Sequence, residues 1–233
     1  MHKIKFKTNV PPTHRTHPML IAIDVPEGVA GDWKIEKFTV SQQEANLFNF
    51  VNTLNGRSNR DIDPGTYTRL MYKDIVVMSD TPAEKRDHLE FISRAQGNIL
   101  INGLGLGYAV EACGRKSTVR HITVIEKSSD VLLLSKQHYL DKYPDKVEIV
   151  HADAFTWAPP LGMRFDAVWH DIWNHICSDN LKEMDQLHQK YRGISDWQGS
   201  WCRNDCKKMA KIEARLQNHK AIDLSKYNNN EVA

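Results

Sequence analysis

"NILINGLGLGY", residues 98–108, sets an apolar run directly before three glycines at alternate positions, Gly103, Gly105 and Gly107. A buried strand that passes into a helix through such a turn lets backbone amides approach a ligand closely. The dinucleotide fingerprint requires G-x-G-x-x-G, and the final position here is Tyr108. The spacing is G-x-G-x-G, which disfavours a nicotinamide dinucleotide.

Downstream of Asn98 the chain alternates apolar runs with helical stretches: "ILIN", "YAVEACGRK", "HITVIE", "SDVLLLSKQHYLDKY", "VEIVHAD" and "FDAVWHD". Unbroken apolar strands joined by helical crossovers predict an α/β fold with a parallel sheet covered on both faces. Upstream, "TPAEKRDHLEFISRAQG" reads as one helix, with Thr81 capping, Pro82 in the first turn and Gly97 at the exit. "TYTRLMYKDIVVMSD" supplies one or two strands. "SQQEANLFNFVNTLNG" is an amphipathic helix capped at Ser41. Two further strands, "PMLIAIDV" and "WKIEKFTV", flank the turn-forming "PEGVAGD".

After "FDAVWHD" the spacing of Leu181, Met184, Leu187 and Tyr191, of Ile194, Trp197 and Trp201, and of Met209, Ile212 and Leu216 predicts an almost wholly helical tail. The sheet is therefore expected either to be truncated or to be completed at its edge by an N-terminal strand such as "PMLIAIDV". The organisation expected is an N-terminal part (1–80), a core (81–175) and a helical extension (176–233) in one compact domain. An uncovered sheet edge would invite pairing with another chain, a homodimer being one solution among several.

The 31 basic and 29 acidic residues leave a formal charge of +2, which argues against a general nucleic-acid or membrane-surface binder. The lysines of "MHKIKFKTNV" leave no leader-like apolar run, and no stretch approaches 18 apolar residues, so a cytoplasmic chain is expected. Four cysteines, Cys113, Cys177, Cys202 and Cys206, form no disulfide framework. Cys202 and Cys206 share a helical spacing but lack two further ligands, so no metal is expected. A basic stripe of Arg203, Lys207, Lys208, Lys211 and Arg215, with Trp197 and Trp201 for stacking, is the one nucleic-acid candidate, and a solvated helix face explains it as well.

Two acidic residues give the glycine turn its ligand class. Glu126 ends the second strand of the core, where a carboxylate can accept from both ribose hydroxyls. Asp153 follows the third, placed to accept from an adenine amino group, with Phe155 or Trp157 to pack on the ring. A solvated acid and a helix cap are the plainer readings of the pair. Asn102, Gly103, Gly105, Gly107, Glu126, Asp153 and Phe155 thus form the candidate adenosine site. Open α/β sheets bind ligands outside the carboxyl ends of their strands, so Asp171 and His170, ending the fourth strand, are the candidates for a general base.

Residues 98–171 resemble the class I S-adenosylmethionine-dependent methyltransferase fold, a Rossmann-like fold whose first motif is an apolar strand followed by G-x-G-x-G. Most members carry an acid two positions before the first glycine. Ile101 stands there instead, as in the spermidine synthase branch, and "VIEKSSDVLLLSKQHYL" resembles that branch too. The resemblance implies S-adenosylmethionine as cofactor and methyl transfer to a small-molecule or other acceptor. It implies, as alternatives, aminopropyl transfer from the decarboxylated form or an adenosine-binding protein without catalysis. It also aligns Asp171 with the aspartate that orients an attacking amine. "IWNHI" after Asp171 departs from both the serine-rich aminopropyltransferase continuation and the Asn-Pro-Pro-aromatic motif of amino-group methyltransferases. "VVMSDTPAEKRDHLEF" lacks the polyamine-binding glutamine and tyrosine.

Overall fold

The computed structural model describes residues 17–56 and 60–228, with side chains as far as residue 217; the lysines of residues 1–10 lie outside it. Its centre is a five-stranded sheet in which every neighbouring pair is parallel. The strands are β5 (Gly97–Asn102), β6 (Val119–Glu126), β7 (Val147–His151), β8 (Ala167–His170) and β9 (Gln198–Ser200), in spatial order β7-β6-β5-β8-β9. This is a Rossmann-like doubly wound order, reversing direction beside β5. Ile99, Leu100 and Ile101 of β5 and Ile122, Val124 and Ile125 of β6 are almost wholly buried. Strands flanked on both faces have no solvated side, hence their unbroken apolar runs. Each such side chain contributes about 1.5–3 kcal/mol.

The crossovers are α4 (Tyr108–Gly114) and α5 (Ser129–Lys142); α6 (Asn180–Tyr191) and the long α7 (Arg203–Asn228) follow the fourth strand. The sheet is neither truncated nor completed from the N-terminus, because β9 comes from the segment expected to be helical. Ile194, Trp197 and Trp201 share no helix. Trp197 stacks on Trp169 of β8 (6.5 Å, 8°), which stacks on Phe91 (5.4 Å, 10°). That aromatic column holds the chain extended against β8, overriding the helical spacing.

The N-terminal strands form their own antiparallel sheet, β1 (Gly28–Ala30), β2 (Trp33–Val40), β3 (Gly65–Tyr72) and β4 (Ile75–Ser79). "TYTRLMYKDIVVMSD" is thus a hairpin, and β1 falls within the stretch read as a turn. "PMLIAIDV" is not a strand. Ile21, Ile23 and Val25 are buried alternately, as period-two reading expects, but Asp80 replaces a partner strand. Its carboxylate accepts from the amides of Ile23 (3.1 Å) and Thr68 (2.7 Å). Helix α1 (Gln42–Leu54) carries the Ser41–Glu44 capping box, yet it buries only Ala45 and Asn52 and exposes Leu47, Phe48 and Val51.

The stretch read as one helix is two short ones, α2 (Pro82–Asp87) and α3 (Leu89–Arg94), broken at His88. The His88 ring takes the Glu84 carbonyl (Nδ1, 2.8 Å) that the helix ladder would use, and its own amide reaches back only to Lys85. Thr81 sits at the cap position, but its hydroxyl pairs with Ser79. Among the described residues no helix is long and apolar enough to cross a membrane.

Gly107 caps α4 at φ +73°, and a Cβ there would lie 2.1 Å from the Tyr139 ring, whose hydroxyl donates to the Leu106 carbonyl (2.5 Å). Gly107→Ala is expected to cost about 2 kcal/mol or more in denaturant unfolding, from the left-handed backbone and the displaced ring together.

Candidate functional site

The glycine turn is fixed on both sides. The Gly103 amide donates to the Ile125 carbonyl (2.8 Å), and the Asp171 amide donates to the Asn102 carbonyl (2.8 Å). Gly103 (φ +98°) has no room for a side chain, since a Cβ would lie 2.0 Å from the Asp171 carbonyl oxygen. Ser135 of α5 donates to the Gly105 carbonyl (3.1 Å). Met78 of β4 lies over the turn, its Sδ accepting from the Leu106 amide (3.4 Å), and a Cβ on Gly105 would meet it at 2.7 Å. The antiparallel sheet therefore roofs the ends of the parallel one.

Between them is a cavity of about 530 Å³, within the usual range for small-molecule sites. Gly103, Gly105, Glu126, Asp153, Phe155 and Asp171 all line it. Trp33 and Tyr72 from the roof, and Trp173 after β8, add aromatic walls. Glu126 ties the floor together: one carboxylate oxygen accepts from the Leu104 amide (2.8 Å) and the other from the Ser128 amide (2.8 Å). Each oxygen keeps a lone pair for a ligand hydroxyl. The Asp153 carboxylate accepts from the Phe155 amide (2.9 Å) and pairs with exposed Lys127 (2.7 Å). The Lys127 hydrogen bond holds its carboxyl below the usual range.

Three of the sequence candidates lie elsewhere. Gly107 packs under Tyr139 instead of lining the cavity. Asn102 and His170 are fully buried and bonded to each other (Nδ2 to Nδ1, 2.8 Å) between β5 and β8. Burial pulls His170 down to about 3, so it stays neutral. Alternation explains this: Asn102 and His170 are register partners pointing away from the cavity, while the chain turns into it one residue later. Trp157 likewise is absent from the lining, and Phe155 is the ring that reaches the cavity.

Asp171 carries a partner that the sequence did not reveal. His88 is fully buried, with Nε2 2.9 Å from the Asp171 carboxylate and Nδ1 on the Glu84 carbonyl. Both ring nitrogens face acceptors, so both carry protons. Burial opposes the charge, but the Asp171 hydrogen bond and charge, together with the Glu84 carbonyl and carboxylate, outweigh it and lift His88 to about 9. Glu84 also lines the cavity, and burial pushes its carboxyl up to about 7. Glu84 and His88 are four apart, one face of a helix, which is the only sign the sequence offered.

Trp201 is buried and lines the same cavity, and Arg203 and Lys208 of the basic stripe pair with Asp185 (2.5 Å) and Asp205 (2.7 Å). The tryptophans proposed for base stacking thus belong to the interior and the stacked column. Among the described residues no group of three or more His, Cys, Asp or Glu can hold a metal ion.

No family model and no curated protein matches the chain. Solved structures do. The DhpI–SAH complex is 21% identical, with 47% of this chain on 50% of that one and a TM-score of 0.36. The CcbJ methyltransferase from Streptomyces caelestis is 16% identical (48% on 44%, TM-score 0.38). The N-terminal domain of EvdMO1 with SAH bound is 22% identical (47% on 44%, TM-score 0.36). The chain spans about half the length of these structures or less.

A histidine raised from 6.5 to about 9 contributes stability that is complete below pH 6.5 and lost as pH rises through about 9. The stability gap between wild type and His88→Gln is therefore expected to shrink by on the order of 1–3 kcal/mol between pH 6.5 and 9.5, read by urea denaturation.

Proposed function

We propose that this chain binds S-adenosylmethionine and transfers its methyl group to an acceptor held beside Asp171. The observation that carries the reading is the convergence of Gly103, Gly105, Glu126, Asp153 and Phe155, from three strand ends, on one cavity that Asp171 also lines. The residues fit the group. Gly103 and Gly105 leave no side chain between backbone and ligand, Glu126 offers two acceptor oxygens to a ribose diol, and Phe155 offers a ring face to a base. Asp153 lies at the same edge, where its carboxylate can accept from an amino group.

When bound, the sulfonium supplies an activated carbon with a neutral thioether as leaving group. The protein then has to align an acceptor and exclude water, which asks little of it beyond positioning. Asp171, its carboxylate fixed by His88, orients the acceptor's N–H or O–H, and Trp173 and the roof residues Trp33 and Tyr72 wall off that end. Methyl transfer is preferred over aminopropyl transfer because "IWNHI" after Asp171 lacks the aminopropyltransferase continuation and "VVMSDTPAEKRDHLEF" lacks the polyamine-binding glutamine and tyrosine.

Calorimetric titration with S-adenosylmethionine, its decarboxylated form and S-adenosylhomocysteine tests the reading. Micromolar binding of the first and third is expected, with Glu126→Ala weakening both by about tenfold or more, the worth of one or two charge-assisted hydrogen bonds. Preference for the decarboxylated form would replace methyl with aminopropyl transfer, and the absence of binding by all three would end the proposal.

A further inference from the structure

The transfer end of the cavity holds more than Asp171. Glu84 of α2 also lines it, and no described residue hydrogen-bonds its carboxylate. Its surroundings are charged on several sides. His88 and Asp87 face it from its own segment, Arg60 from the loop before β3, and Asp171 from the end of β8. Arg60 is largely committed to Asp87, which it grips through both oxygens (2.6 and 2.7 Å), and His88 is committed to Asp171. Glu84 is therefore the carboxyl of this group left without a dedicated cation, in a cavity, beside two committed ion pairs.

We infer, on the reading proposed above, that Glu84 is a specificity-determining residue that senses ligand charge: ionised, it favours a cationic sulfonium, and protonated, it favours a neutral thioether. His88 is the positioning residue of the group, fixing Asp171 and setting the field at Glu84. The physical basis is the cost of an uncompensated charge on a partly buried carboxyl beside two other acids. With a cation alongside, ionised Glu84 gains a Coulombic partner; with a thioether there, the same carboxylate has none, and a proton is the cheaper solution. Burial already brings the group to about 7, so modest changes in ligand charge decide its state. The consequence is a site that holds donor and product by different rules and releases the neutral product more readily as pH rises.

The test is calorimetric titration of the full chain with S-adenosylmethionine and with S-adenosylhomocysteine between pH 5.5 and 8.5. The two ligands differ in the charge on sulfur and in the amine that this charge acidifies, and both differences are common to wild type and Glu84→Gln, so the change in the affinity ratio between the two proteins isolates Glu84. In wild type the preference for S-adenosylmethionine is expected to rise about tenfold across this range, the worth of one proton exchanged for one cation. In Glu84→Gln the ratio is expected to stay within about twofold. A 13C carboxyl titration, assigned by its loss in Glu84→Gln, is expected to move to higher pH in His88→Gln, a shift that a purely structural role for His88 would not produce. A ratio independent of pH in wild type, or a slope that survives in Glu84→Gln, overturns the inference while leaving the proposed function standing. Failure of both ligands to bind overturns the two together. If Glu84→Gln does not fold, Glu84→Ala takes its place in both the affinity ratio and the carboxyl assignment.

Discussion

At Gly103 the chain leaving β5 passes so close to the chain leaving β8 that a methyl group would lie 2.0 Å from the Asp171 carbonyl oxygen. The contact is possible only without a Cβ and at a backbone angle that other residues rarely adopt. Much of the site follows from it. The Asp171 amide donates to the Asn102 carbonyl, which brings the end of β8 level with the glycine turn. Glu126 completes the arrangement from the other side, its two oxygens holding the turn and the start of α5 in place. Three strand ends are thus locked around one space by backbone contacts before any ligand enters it.

The roof is a separate piece of physics. The antiparallel sheet presses Met78 onto Gly105 and brings Trp33 and Tyr72 over the cavity. Its attachment depends on a buried acid: Asp80 satisfies the amides of Ile23 and Thr68 and so joins an extended segment to β3 without a ladder. Immediately after Asp80 the chain enters α2, which brings Glu84 to the cavity and leads into His88, the partner of Asp171. One short stretch therefore anchors the roof and supplies charged groups to the cavity.

The segments that read correctly from sequence share one property, that their pattern is set by what lies next to them along the chain or by burial on both faces. The strands β5 to β8 declare themselves because the sheet is covered above and below, and α1 because its capping box is local. The failures have a common cause as well. "PMLIAIDV" has the alternation of a strand but is partnered by a side chain. Residues 194–201 have helical spacing, but an aromatic column from Phe91 and Trp169 claims Trp197 and makes room for β9. His88 breaks a helix that propensity would have continued, by capturing its carbonyl.

For the candidate site, the sequence by itself determined which residues lie at strand ends and line one cavity, Gly103, Gly105, Glu126, Asp153 and Asp171, each readable because an open α/β sheet takes ligands at the carboxyl ends of its strands. It did not decide which of two adjacent residues faces the cavity, since a strand turns over at every step, and so His170 and Asn102 were grouped with residues from which they point away. Nor did it disclose Glu84 and His88, which come from more than 80 residues before Asp171 and meet it only because the sheet order brings α2 beside the end of β8. Long-range electrostatics of this kind has no signature in local pattern. It exists only once the chain has folded and water has been excluded from between the charges.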